Sequence, residues 1–303
     1  MSSPIHYLDL LSRAVAHIDA HLGEPLDGDA LAERAAMSRY HFHRIFRAYF
    51  GTTVAGYVTW RRLQRACELL SADPTSVLDV AVAVGYDSAQ ALAKAMRREL
   101  DTTPSAVRAG AAPAWQRLFD RRADTRLPDG DPLLKPRLTE APALWVLTAT
   151  GRGKDDGDMS RAAQQALAEL RPTIDRAGLW PRMRTCLAMF PDEPQGPDDQ
   201  AARMWLGVVF DHALSTREGI PARVDVPLSG TLAWREIPAG RHAVFTHLGP
   251  YSTLHLAWTA IYRDWLPATG YALRDTPPFE HYVNDATTVA PDAVRTDLYM
   301  PLQ

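Results

Sequence analysis

The chain is short of several features that would each fix a function class. It has two cysteines in 303 residues, Cys67 and Cys186, both in apolar surroundings and without CxxC spacing. That excludes a disulfide framework and fits buried thiols in a reducing cytosol, so a cytoplasmic location is expected. No apolar run approaches about 18 residues, so no spanning segment and no membrane partner are expected. The N-terminus is not a signal peptide: Leu8, Leu11, Val15, Ile18 and Leu22 repeat at helical spacing, interrupted by Asp9, Arg13, His17 and Asp19. GxSxG, Walker and GxGxxG motifs are all missing, which removes the usual signals for a catalytic serine or a nucleotide, and no cofactor is expected. His17 and His21 stand four apart on a helix with no Cys or carboxylate placed beside them, so they read as surface histidines and no metal is expected. The formal net charge is only −3, which argues against indiscriminate binding to nucleic acid.

What the chain does have is unevenly distributed. Its length suggests two domains, and its 46% hydrophobic and 23% charged residues are ordinary for a globular protein. From Arg34 to Arg65 there are seven Arg and no Asp or Glu. A basic patch on a near-neutral chain is the footprint of a module that docks on DNA, although a solvated basic surface would leave the same trace.

That window lies within a pattern used twice, about 50 residues apart. In the first copy a short apolar helix around Leu31–Ala35 leads to a turn, then Ser38 as a helix cap. Phe42, Ile45, Phe46 and Tyr49 recur at helical spacing as a buried stripe, and Gly51 suits the left-handed residue that ends a helix. Tyr40, His43, Arg44 and Arg47 fall on the opposite face. In the second copy Val80–Val84 leads to Gly85, Asp87 or Ser88 caps, and Leu92, Met96 and Leu100 form the stripe. Gln90, Lys94, Arg97 and Arg98 face outward. A helical run over about 54–70 joins the copies and spans about 25 Å. Two recognition helices in successive major grooves stand about 34 Å apart, so each copy reads as one helix-turn-helix of a pair.

These residues resemble the AraC/XylS-type DNA-binding domain. The likeness runs from about Ile5 to Arg108 and includes Arg62, Ala66, Leu69, Leu70, Ala81, Gly85-Tyr86 and Thr103-Pro104. It implies an all-α N-terminal domain over 1–110, double-stranded DNA as a partner, and RNA polymerase as the expected protein partner. Arg44 is the first base reader, because its fork suits guanine, with Tyr40 and His43 beside it. Gln90 and Lys94 are the counterparts in the second unit. Arg39, Arg47, Arg61 and Arg62 are expected to hold phosphates. Lys94 stands where the family usually has Arg, Ala91 and Ala95 thin the second helix, and Asp101 replaces the usual Gly. The second unit is therefore expected to read its half-site more weakly.

Composition changes after Arg108. Prolines and glycine punctuate 111–135, which reads as a linker with a short helix around Trp115–Arg122. Beyond it a second internal repeat appears, offset by about 92–96 residues. Glu140-Ala141-Pro142-Ala143 parallels Glu236-Ile237-Pro238-Ala239. Each is followed by an alternating run (144–150, 242–248), a helix (160–177, 252–269) and two strands (185–190 and 204–210; 279–283 and 296–302). The unit is β-α-β-β, so the second domain is α+β, with helices on an antiparallel sheet.

This half resembles a GyrI-like effector-binding domain over 136–303, most clearly in His247-Leu248-Gly249-Pro250-Tyr251, Trp258, Trp265 and Glu280-His281-Tyr282. An AraC-type domain followed by a GyrI-like one is the arrangement of Rob-like regulators. Glu280 is the odd residue, mid-strand where the first copy is matched by Leu187. Alternation puts Glu280 and Tyr282 on one face and Phe279, His281 and Val283 on the other. A carboxylate there needs a partner, either a nearby Arg or a ligand. The resemblance implies a groove between the repeats that takes a small-molecule effector, and a lipophilic cation would suit it. Glu280, Tyr282, Tyr251 and Trp258 are the pocket candidates, with Trp145 and Trp205 from the first repeat. A strand tryptophan more often serves the core. The reading is a non-catalytic, DNA-binding transcription regulator with no assigned catalytic residue. The alternatives are a GyrI-like hydrolase using Glu280 as a general base, or a drug-sequestering protein.

Overall fold

A computed structural model describes residues 6–72, 75–111, 132–155, 158–192, 199–211 and 226–303. The chain divides into two compact units between Arg126 and Leu127. Most of the expected linker, residues 112–131, lies outside the described residues, as does the helix expected around Trp115–Arg122.

The N-terminal unit is helical: α1 (Tyr7–Ala20), α2 (Gly28–Arg34), α3 (Arg39–Phe50), α4 (Val54–Ala72), α5 (Val77–Ala83), α6 (Ala89–Leu100) and α7 (Pro104–Arg108). Small polar residues set the helix starts. Ser38 accepts from the His41 N–H, Ser76 from Asp79, Ser88 from Ala91 and Thr103 from Ala106. Of the two cap candidates for α6, Ser88 takes the position. Gly51 ends α3 at φ 69° and Asp101 ends α6 at φ 51°, both left-handed. Glycine adopts that region freely, and Asp is among the few other residues that tolerate it.

Two core expectations change. Tyr49 is 46% exposed, and α3 buries His41, Phe42, Ile45, Phe46 and Ala48 instead. The buried arc is rotated towards Ala48, which leaves Tyr49 facing outward. Ala95 belongs to the core with Leu92, Met96 and Leu100. Its small side chain therefore does not thin the outward face of α6.

The C-terminal unit is α+β. Its strands are β1 (Arg137–Ala141), β2 (Leu144–Arg152), β3 (Met183–Met189), β4 (Arg203–Phe210), β5 (Ala233–Ile237), β6 (Gly240–Leu248), β7 (Phe279–Tyr282) and β8 (Arg295–Pro301). Helix α8 (Ser160–Arg176) joins β2 to β3. Between β6 and β7 run α9 (Leu254–Ala260), a π-helical turn (Ile261–Trp265) and α10 (Leu266–Thr269). The sheet order is β1-β6-β8-β7-β3-β4-β2-β5, with every neighbouring pair antiparallel.

Each half carries one strand more than the expected unit. The Glu140 and Glu236 segments, read as lead-ins, are β1 and β5. Each pairs across the division: β1 with β6, and β5 with β2. Exchanging β1–β4 for β5–β8 reads the order from its other end, with β3 and β7 meeting at the centre.

Candidate DNA interface and effector groove

On α3 Tyr40, His43, Arg44 and Arg47 stand at i, i+3, i+4 and i+7 on one face of the helix, all half-buried. They are organised among themselves and with α2. The Arg44 guanidinium lies 4.4 Å from the centre of the Tyr40 ring. His43 packs on Gly28, where a Cβ would come within 2.9 Å of its ring. Burial, and after it the charge of Arg39, holds the His43 imidazole below its ordinary pKa. Arg39 pairs with Asp29 at 3.0 Å on the surface. Such a pair contributes little, about 0–1 kcal/mol, so it can be exchanged for a phosphate. On α6, by contrast, Gln90, Lys94, Arg97 and Arg98 are exposed.

The two arginines of α4 are placed differently from the phosphate contacts expected of them. Arg62 donates to three backbone carbonyls: Leu22 through Nε at 2.9 Å, Glu24 at 2.7 Å and Gly85 at 3.2 Å. It ties the end of α1 to the turn of the second unit with three of its five N–H donors. Arg61 donates from Nε to Asp19 at 2.6 Å and to Gln64 at 2.7 Å, and the Asp19 hydrogen bond raises its pKa. Both arginines brace the helix between the two units.

In the C-terminal unit, Glu280 is 3% exposed. Its neighbours follow from the register. Across the sheet the residues beside it are Phe245, Leu298, Glu280, Ala188, Leu206 and Ala149, one from each strand from β6 to β2. The adjacent row on the same face is His247, Thr296, Tyr282, Cys186, Val208 and Leu147. Helix α8 packs on the β2 and β4 side of this face through Ala162, Ala166 and Leu170. From the other side α9 brings Trp258, and the π-helical turn brings Trp265 onto Phe245 with ring centres 4.8 Å apart. Between these two helix contacts lie β3 and β7, whose Ala188, Cys186 and Tyr282 also pack against the α8 cluster.

Glu280 lies on this stretch with both oxygens engaged. Trp258 Nε1 donates to Oε1 at 2.8 Å, and the Tyr282 hydroxyl donates to Oε2 at 2.9 Å. Tyr251 closes the outer end, its ring 5.0 Å from that of Tyr282. Burial, reinforced by Glu280, pushes the Tyr282 phenol well above its ordinary pKa, so it stays a donor. Burial also raises Tyr251. The opposite wall is aliphatic and small: Ala188 and Cys186 on β3, with Met159, Ala163 and Leu167 partly buried against the same cluster. Burial raises the Cys186 thiol to about 12, so it is neutral.

The four leading pocket candidates, Glu280, Tyr282, Tyr251 and Trp258, are thus brought together. The two from the first repeat are not. Trp205 pairs with Met189, and Met189 with Phe279, so it points to the reverse face, where Arg235 lies 3.5 Å from its ring centre. Trp145 is on the groove face but on β2, three strands from β7, or about 14 Å away. Leu187 also faces the reverse side, so the first-half neighbours of Glu280 and Tyr282 are Ala188 and Cys186. A shift of one residue along a strand changes the face. No sequence signal marked these aliphatic neighbours, because small apolar residues on a strand read as core.

Among the described residues, no group of three or more His, Cys, Asp or Glu could hold a metal ion, and no helix is long and apolar enough to cross a membrane. The His17 and His21 rings lie with centres 4.0 Å apart, tilted by 34°.

Comparison with known proteins gives a family for each half. Residues 134–303 match a GyrI-like small molecule binding domain, and residues 31–110 a helix-turn-helix domain. Regulatory protein SoxS of Escherichia coli is 32% identical over 99 residues, which is 33% of this chain and 92% of SoxS. The right origin-binding protein of Escherichia coli is 30% identical over 110 residues, 36% of this chain and 37% of that protein. An AraC-type transcriptional regulator structure from Chromobacterium violaceum is 31% identical, covering 34% of this chain and 91% of that one, with a TM-score of 0.33.

Proposed function

This chain belongs to the family of the GyrI-like small molecule binding domain, carried behind an AraC-type helix-turn-helix domain, and from that premise we propose that it is a transcription regulator that binds a specific DNA site and senses a lipophilic cation. The observation that carries the proposal is the joining of two capped helix-turn-helix units to a groove with one buried carboxylate among aromatic rings. Arg44 reads a base, with Tyr40 and His43 beside it, and Gln90 and Lys94 read the second half-site. Arg39 and Arg47 hold phosphates, and RNA polymerase is the protein partner. In the groove Glu280 supplies the charge, while Trp258, Tyr282 and Tyr251 supply ring faces, each contributing about 0.5–2 kcal/mol to a bound cation.

Hydrolysis would need Glu280 as a general base. Both of its oxygens already accept hydrogen bonds from Trp258 and Tyr282, an arrangement suited to holding a charge rather than to taking a proton. The test is selection of bound DNA from random sequence with the full-length protein, with and without tetraphenylphosphonium. Two half-sites should be enriched, and the cation should quench tryptophan fluorescence and change DNA occupancy. Glu280→Gln should weaken the cation far more than a neutral analogue of the same shape. Failure to enrich any site would overturn the regulator reading. An unchanged cation affinity in folded Glu280→Gln would remove Glu280 from the pocket.

A further inference from the structure

The two halves of the groove floor differ in charge. On the four central strands (β8, β7, β3 and β4), the described residues place one carboxylate on the helix-covered face, and it is Glu280. Directly across the β3–β7 pair stands Ala188, fully buried, and the residue opposite Tyr282 is Cys186. The remainder of the Glu280 row is Phe245, Leu298, Leu206 and Ala149. The α8 wall adds Met159, Ala163 and Leu167.

Resting on the reading of this groove as a cation site, we propose that it selects singly charged aromatic cations against doubly charged ones, and that Ala188 and Cys186 set that limit. A flat cation with its charge against Glu280 has its far end against the β3 and α8 wall. An apolar far end gains from burial there. A second positive charge would instead lose its water with no partner in return, and removing an ion from water is costly unless it is paired. The Cys186 thiol, raised to about 12 by burial, does not ionise to provide that partner. Asp285 is exposed and already accepts from the backbone and hydroxyl of Thr287, so it stays in solvent and cannot neutralise a charge beside Ala188.

The test compares two rigid biaryls of one shape, N-methyl-4-phenylpyridinium with one charge and N,N′-dimethyl-4,4′-bipyridinium with two, by titration calorimetry on the full chain. The wild type should bind the monocation at least about tenfold more tightly. Cys186→Asp, which adds a carboxylate opposite Tyr282, should bring the ratio to one or below. Equal or tighter binding of the dication by the wild type overturns the proposal, as does an unchanged ratio in a folded Cys186→Asp protein. If that variant does not fold, the wild-type ratio alone decides. Glu280→Gln separates this proposal from the one beneath it. If that variant binds both biaryls as the wild type does, the cation site itself is wrong. If it loses both while the wild type shows no preference, only the charge limit fails.

Discussion

The two recognition helices share their frame and differ in how their outward residues are held. Both start at a serine cap, bury a stripe of apolar residues and end on a left-handed residue. On α3 the Arg44 fork rests on Tyr40 and His43 is seated on Gly28, so part of the ordering needed for base contact exists before DNA arrives. On α6 Gln90 and Lys94 stand in solvent. Fixing one long side chain costs about 1.5–2 kcal/mol of rotamer freedom, so an exposed Lys gives up more on binding than a stacked Arg. Under the proposed function, the first unit is therefore expected to discriminate bases more strongly than the second. The division does not arise from small residues on α6, because Ala95 lies in the core.

The largest expected effect falls on what the two units share. Arg62→Ala removes the donors to Leu22, Glu24 and Gly85, and should cost about 2–4 kcal/mol of N-terminal unit stability in chemical unfolding. It should weaken both half-sites together. If unfolding were unchanged while the salt slope of DNA binding fell by about 0.9, Arg62 would be a phosphate contact after all.

Next comes the contrast between the helices themselves. Arg44→Ala should weaken the selected site by about 1–3 kcal/mol and relax one base position, read by competition with single-base variants of the site. Lys94→Ala should lose less discrimination and mainly reduce the salt dependence. Equal loss of base preference in both variants would erase the division of labour drawn here.

The smallest effect concerns the helix ends. Asp101→Gly should stabilise the protein by about 0.5–1 kcal/mol in thermal unfolding, because Asp101 holds the left-handed conformation that glycine adopts without strain. Gly51→Ala should shift stability the opposite way by about 1 kcal/mol. A destabilised Asp101→Gly would mean that the Asp101 side chain contributes more than its backbone strain costs.

Much of this protein was legible in its sequence because the relevant signals are local. A serine cap, an apolar stripe at helical spacing and an alternating strand each occupy about ten residues, and together they fixed two helix-turn-helix units and an α+β second half. The shared face of Glu280 and Tyr282 followed from alternation in the same way. Tertiary structure decided the rest, wherever residues distant in sequence meet. Arg62 reaches Leu22 and Gly85 across two helices, β1 and β5 pair in the opposite half, and Trp258 and Tyr282 take the carboxylate that an arginine was as well placed to claim. Trp205 faces away from Glu280, and Ala188 and Cys186 lie beside Glu280 and Tyr282, because strand register, set only when the sheet assembles, determines which face each residue occupies.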